Sequence, residues 1–291
     1  DMNFKKDKNA LSMPWVESPF FNELVKNNPH PLNNMATEFH NNGYVKITPS
    51  ITDQEVDIII KDVAMGIEGE KAILQDDIYK YNEAPRVFEG WRDIESVKQL
   101  TLQPEILAAL EFLYNKTAYP FSTINFTKGS NQPLHSDAIH FHTIPQLWMC
   151  GVWIALEDVT EQNGALTVVP GSHKFPVFEY PDMNLPHPDD IENGKEENYR
   201  VYEEFVKDLV DASPLEKAIV PMKKGEVLIW AANLLHGGSK ILDPNSTRHS
   251  QAIHYFFEGC NEYYHPMFSN RNKGQYAKKW CDENNNIRVS K

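Results

Sequence analysis

From about Pro120 to Phe257 the chain breaks into short apolar or alternating runs separated by turn signals, and this pattern restricts the fold more than any other feature. Strands are predicted over 121–126, where Thr123 and Ile124 are β-branched, and over 134–141, 148–156, 166–169, 218–221, 227–230 and 248–257. Turn-forming segments such as Lys128-Gly129-Ser130-Asn131, Glu161-Gln162-Asn163-Gly164 and Lys223-Lys224-Gly225 separate several of them. Many short strands at this spacing predict an all-β barrel or sandwich flanked by helices.

The helical support lies mainly before the strands. Thr52 and Glu55 form a capping box that opens a helix to about Met65, with Val56, Ile59, Ile60 and Val63 on one face. A second helix is predicted from Pro104 to Tyr114, with Pro104 in the first turn, where its missing N–H costs little. Asn41-Asn42-Gly43 reads as a turn into a short strand, Tyr44-Val45-Lys46-Ile47. Residues 1–34, rich in Asn, Pro and Lys, read as an irregular N-terminal arm. Residues 175–214 are Pro- and charge-rich without a clear period and read as an insertion or lid, the acidic stretch 189–204 being its solvated face. The expectation is one domain over 1–291, with its β core in 120–258.

Composition narrows the function classes. With 41 acidic against 28 basic residues the formal charge is −13, and no dense Lys/Arg run is present, so a nucleic-acid partner is not expected. No stretch approaches the roughly eighteen apolar residues of a membrane span, so no membrane partner is expected. Cys150, Cys260 and Cys281 are odd in number, widely spaced and without a CxxC, which fits reduced thiols in a cytoplasmic protein rather than disulfides or a zinc site.

The chemistry concentrates in His135-Ser136-Asp137. Two positions apart on a strand, the imidazole and carboxylate would share a face, roughly 7 Å apart along the chain. The pair alone is a common coincidence, most often a surface His beside an acid. His236 gives it weight: it follows the apolar run Val227-Leu228-Ile229-Trp230 and precedes Gly237-Gly238, a turn that lets backbone approach a ligand. Two imidazoles and one carboxylate are the ligand set of a non-haem iron site and leave the opposite metal face open. Arg248 opens the next strand with Ser250 on its face, and a guanidinium fork suits a carboxylate.

With these residues in view, the chain resembles the phytanoyl-CoA dioxygenase family of Fe(II)/2-oxoglutarate oxygenases. The likeness runs from His135-Ser136-Asp137-Ala138-Ile139-His140-Phe141 through Val152–Asp158, Asn163-Gly164-Ala165-Leu166 and Pro170-Gly171-Ser172-His173-Lys174 to His236-Gly237-Gly238-Ser239 and Arg248, with a Phe39–Val45 segment before it. It touches most of residues 36–258 and implies a double-stranded β-helix, or jelly-roll, core. It further implies that His135, Asp137 and His236 ligate iron, that Arg248 pairs with the far carboxylate of 2-oxoglutarate, and that Trp153 lies near that co-substrate. The family often carries Ser two residues after the second His. Here Gly238 holds that place, so either Ser239 or Ser250 could assist Arg248. The implied reaction consumes dioxygen, releases succinate and CO2, and oxidises a small-molecule substrate. Related halogenases replace the carboxylate with a small residue, so Asp137 favours hydroxylation. The competing readings are a jelly-roll binding or regulatory protein with a vestigial metal site, and a cupin-like metalloenzyme that does not use 2-oxoglutarate. Arg248 argues against the last.

The remaining candidates carry less. His140 reads equally as a pocket or packing residue and His142 as solvent-facing. His173 reads as structural, and His254 shares a face with Arg248 and Ser250. Gln132 reads as a surface loop residue. Lys80, Arg86 and Arg92, among Tyr79, Tyr81, Phe88 and Trp91, could hold an anionic substrate, with Lys80 and Arg86 the leading pair. Snorkelling side chains on a partly buried segment are the plainer reading of all three.

Overall fold

The computed structural model describes residues 3–69, 73–74, 81–82, 84–186, 190, 192, 194–259, 262–265, 278–281 and 287–289. Its centre is an antiparallel sheet of seven strands in the order β1-β9-β6-β11-β4-β3-β2. These are β1 (Tyr44–Ile47), β2 (Ile73–Leu74), β3 (Arg86–Phe88), β4 (Ala118–Phe126), β6 (Met149–Ala155), β9 (Val227–Ala231) and β11 (Ser250–Phe257). A second antiparallel sheet, β10-β7-β8, is built from β7 (Leu166–Val168), β8 (Ala218–Val220) and β10 (His236–Gly238). A third, β14-β13-β12-β5, joins β5 (His142–Thr143) to β12 (Glu262–Tyr264), β13 (Lys278–Cys281) and β14 (Ile287–Val289).

The central strands are apolar throughout because both their faces are covered. Side-chain alternation divides the residues between the two faces. Cys150, Val152 and Ile154 of β6, Val227, Ile229 and Ala231 of β9, and Ile253, Tyr255 and Phe257 of β11 point outward into a core shared with the helices. Trp153 and Ala155, Leu228 and Trp230, and Ala252 point inward, where they meet Leu166, Val168 and Val220 of the small sheet. Two facing antiparallel sheets with helices outside one of them make the expected jelly roll.

The helices of that outer layer are α1 (Phe21–Asn27), α2 (Asn33–Asn42), α3 (Asp53–Glu68), α4 (Glu95–Thr101) and α5 (Pro104–Tyr114). Both predicted helices form. The capping box of α3 is made: Glu55 N donates to Thr52 Oγ1 at 3.2 Å and Thr52 N to Glu55 Oε2 at 2.7 Å. Its buried face is Val56, Ile59 and Val63, while Ile60 is only partly covered.

Two segments depart from the sequence reading. The N-terminal residues are not an irregular arm: a 3-10 turn at Trp15–Glu17 leads into α1, and Trp15, Val16, Phe21 and Leu24 are buried. Trp15 stacks on Phe21 with ring centroids 5.3 Å apart and donates its indole N–H to Phe112 O at 3.2 Å. These few large apolar side chains anchor the segment despite its polar composition. Residues 175–214 likewise contain a 19-residue helix, α6 (Gly194–Ala212), with Tyr199, Tyr202, Val206 and Val210 buried on one side. The acidic side chains Glu196, Glu197 and Glu204 occupy its exposed side.

His173 is structural, as expected. Its buried Nε2 donates to His40 O at 3.1 Å near the end of α2, and its Nδ1 has no partner among the described residues. Burial, aided by the Lys174 charge, lowers its pKa to about 4. A folded pKa below the unfolded value of about 6.5 means stability is lost as pH falls through 6.5 toward 4. We expect Tm to decline across this window in the native chain. His173→Gln should lower Tm at pH 7.5 and flatten that decline, as followed by thermal denaturation at stepped pH.

Candidate metal centre

His135 and His236 face each other across an isolated antiparallel bridge at the end of β10. His135 N donates to His236 O at 2.9 Å and His236 N to His135 O at 3.0 Å. A pair exchanging both backbone bonds projects its side chains to one side of the ladder. The imidazoles therefore lie together, with ring centroids 4.6 Å apart. Each Nδ1 is held by a nearby carbonyl, His135 to Pro133 O at 2.9 Å and His236 to Leu234 O at 3.0 Å. These bonds orient both rings with Nε2 toward the carboxylate.

Asp137 is not on a strand, contrary to the predicted run 134–141. After the His135 bridge the chain turns into a 3-10 helix, Asp137–Ile139, capped by Ser136, whose Oγ accepts from Ala138 N at 3.1 Å. Ser136 Oγ also donates within reach of Ala232 O and Asn233 Oδ1. The turn carries the carboxylate closer than strand geometry would. Asp137 Oδ1 sits 3.9 Å from His135 Nε2 and 3.7 Å from His236 Nε2. One ligand atom from each of the three residues lies within 4.8 Å of the others, and all three residues are buried. Burial pushes the Asp137 pKa up, but His236, His254 and His135 together hold it well below the usual carboxylate range. Burial lowers the His135 pKa to about 4, so its ring is neutral near pH 7. A carboxylate and neutral imidazoles are the protonation states that bind a metal.

These residues line a cavity of about 420 Å3 between the two sheets. Arg248, Trp153, Phe126 and Leu166 also line it, as do His140, Phe141, His254 and His265. Arg248 is 1% exposed; it donates to Gly164 O at 2.8 Å and lies 5.2 Å over the Trp153 ring. Burial, and then the nearby Arg86 charge, lowers its pKa to about 9. Around Arg248, the buried Arg248 Nε, Trp153 Nε1 and Ser250 Oγ have no hydrogen-bond partner among the described residues. Uncompensated buried donors are costly, so the group fits an anion such as a carboxylate. The serine ambiguity narrows as well. Ser239 Oγ already donates to Ala165 O at 2.7 Å, whereas Ser250 shares the strand face of Ala252 and His254.

Other candidates fall differently. His140 lines the cavity with Nε2 3.3 Å from Tyr199 Oη. His142 is not solvent-facing: it is buried with Nδ1 2.7 Å from Glu179 Oε1. His254 does enter the cavity, Nε2 3.5 Å from Asp137 Oδ2. Gln132 is a cavity residue rather than a surface one, its amide 3.4 Å from His135 Nε2 and 3.2 Å from Tyr199 Oη. Arg86 lies outside the cavity wall; it donates to Ser130 O at 3.2 Å and shares the Phe126 ring with Arg248 at 5.4 and 5.5 Å. Arg92 pairs with Glu89 at 3.0 Å. Lys80 lies outside the described residues. Gly237 and Gly238 serve close backbone approach, but to protein: a Cβ on Gly237 would stand 2.6 Å from Gln132 O.

The sequence reading missed the part played by α6. Tyr202 Oη accepts from Ser136 N at 2.9 Å, directly between His135 and Asp137 in sequence, and Tyr199 reaches Gln132 and His140. The spacing 199, 202, 206, 210 was the available signal, a helical period beneath the charges.

A sequence model of the Phytanoyl-CoA dioxygenase (PhyH) family matches residues 39–250. The chain belongs to the phytanoyl-CoA dioxygenase family. It is 27% identical over 211 residues to the peroxisomal phytanoyl-CoA dioxygenase of Rattus norvegicus, covering 69% of this chain and 56% of that protein. It thus spans about half the length of the curated relatives it matches first. Among solved structures it resembles the epimerase SnoN in complex with Fe3+, alpha ketoglutarate and nogalamycin RO, with TM-score 0.60, 19% identity and coverage of 80% and 86%. It also resembles EctD from Sphingopyxis alaskensis with 2-oxoglutarate and 5-hydroxyectoine, with TM-score 0.59, 18% identity and coverage of 80% and 78%. At these identities the structural likeness establishes the jelly-roll fold. Among the described residues no helix is long and apolar enough to cross a membrane.

Removing the Tyr202 hydroxyl leaves the buried Ser136 N–H unsatisfied, a cost of about 1–3 kcal/mol. Tyr202→Phe should therefore lose stability in that range by urea denaturation and weaken Mn(II) binding, while Tyr81→Phe should leave Mn(II) binding unchanged.

Proposed function

We propose that this protein is a non-haem Fe(II)- and 2-oxoglutarate-dependent dioxygenase that hydroxylates a small molecule. One observation carries the reading: a compact His-Asp-His set and the buried donors Arg248 Nε and Trp153 Nε1, which have no partner among the described residues, belong to residues that line the same cavity. His135, Asp137 and His236 would hold Fe(II). Arg248, with Ser250 and Trp153, would take the far carboxylate of 2-oxoglutarate. When bound, the metal and the keto acid supply the oxidising chemistry, with dioxygen consumed and succinate and CO2 released.

The chain's own residues do the positioning. The backbone bridge holds the two imidazoles side by side, and the carbonyl bonds to each Nδ1 fix their tautomers. Arg248 fixes the orientation of the acid by pairing with the carboxylate that does not react, and Arg86 adds positive potential behind Phe126. Phe126, Leu166, Ile124 and Trp153 keep water from this part of the cavity. The substrate would occupy the sector of His140, Phe141, His254 and His265, where Gln132 and Tyr199 supply further polar contacts. A carboxylate at position 137 supports hydroxylation over halogenation, because it fills the place a halide would need. A buried free thiol at Cys150 supports a reducing, cytoplasmic setting.

The test is succinate formation across a panel of small molecules. Turnover should require both Fe(II) and 2-oxoglutarate and vanish in His135→Ala and Asp137→Ala; turnover retained in both variants would refute the reading. Arg248→Met should raise KM for 2-oxoglutarate roughly tenfold or more, the value of a lost charge-assisted bond.

A further inference from the structure

Trp230 lines the cavity, and among the described residues its indole is the one there that touches a candidate metal ligand. It sits on β9 with its ring turned inward, and its Nε1 donates to Asp137 Oδ2 at 2.7 Å. The two oxygens of Asp137 are thereby distinguished. Oδ1 faces His135 Nε2 at 3.9 Å and His236 Nε2 at 3.7 Å, whereas Oδ2 faces the indole and His254 Nε2 at 3.5 Å. The indole is itself fixed on two sides. Its ring packs 4.6 Å from the His236 ring. Across the sheet Gly151 is its register partner, and a Cβ there would stand 2.2 Å from Trp230 Cε2 and 2.4 Å from Nε1. Any other residue at 151 would displace the donor from the carboxylate.

We infer that Trp230, seated by Gly151, is a positioning residue that makes Asp137 a one-oxygen metal ligand. The inference rests on the proposed iron site and deepens it. A carboxylate binds metals through one oxygen or two. Two imidazoles and one carboxylate oxygen leave three of six octahedral positions open, two for a chelating keto acid and one for dioxygen. If Asp137 bound through both oxygens, the keto acid would fill the last positions. Binding Oδ2 to the indole preserves the open position, and the charged acceptor strengthens that hydrogen bond. An outer partner of this kind commonly changes metal affinity ten- to hundredfold.

The test uses Mn(II) as a spectroscopic probe with 2-oxoglutarate, in this chain, without any substrate or turnover. Line broadening of the Mn(II) EPR signal in 17O-enriched water reports the number of bound waters. In the native chain the ternary complex should hold one water. Trp230→Phe, which keeps the aromatic bulk but cannot donate, should lose that water and bind Mn(II) roughly ten- to hundredfold differently. Gly151→Ala should move in the same direction by displacing the indole. A native ternary complex without a bound water overturns the inference whether or not either variant folds. So does a folded Trp230→Phe that retains one water and the native Mn(II) affinity. A native chain that binds neither Mn(II) nor 2-oxoglutarate refutes instead the proposed iron site, and the inference with it.

Discussion

The site depends on two backbone hydrogen bonds. His135 and His236 lie a hundred residues apart in sequence, and the exchange of N–H and C=O between them makes them direct neighbours. In an antiparallel pair of this type the side chains have no freedom to diverge. Register and ligand geometry are therefore one constraint. A one-residue slip of β10 against the His135 segment would turn His236 to the other face and dismantle the cluster. Much of the surrounding structure holds that register: β10 is paired on its other side with β7, and Ser136, Asn233 and Tyr202 tie the bridge to the turn that follows.

The large sheet serves two purposes through alternation alone. Outward residues of β6, β9 and β11 build a dry core with α1 to α5, and this core needs only volume and apolarity. Inward residues of the same strands are Trp153, Trp230, Ala252 and His254, with Arg248 just ahead of β11, and they set the chemistry of the cavity. Helices α1 to α5 cover the outer face of the sheet, whereas α6 reaches the site through Tyr199 and Tyr202. The small sheet closes the other side with β7 and β10.

Local signals were legible where one rule decides the outcome. The Thr52 capping box, Pro104 at a helix start, and the strands 44–47, 149–155, 227–231 and 250–257 all formed close to where propensity and periodicity place them. His135, Asp137, His236 and Arg248 do converge on one cavity. Strand parity does not relate His135 to Asp137, however, because Ser136 caps a 3-10 turn that replaces the strand. Composition conceals two packed segments. Trp15, Phe21 and Leu24 are few among polar neighbours yet bury fully, and the apolar period of α6 is diluted by its acidic outer face. Trp230 was visible only as part of an apolar run, because its significance depends on a glycine in another strand, a relation that no local pattern reports.

Arg248 and Arg86 both lie against the ring of Phe126, and each is displaced from its ordinary pKa first by its own burial. Like charges so placed repel in a medium that screens them poorly. A small dianion entering beside Arg248 would offset the cost of that burial as well as occupying a site. The abundance of such acids around the protein would then set its lifetime against unfolding, because a ligand that binds only the native state deepens that state by mass action. Persistence would then follow the supply of that acid, whatever chemistry the site performs.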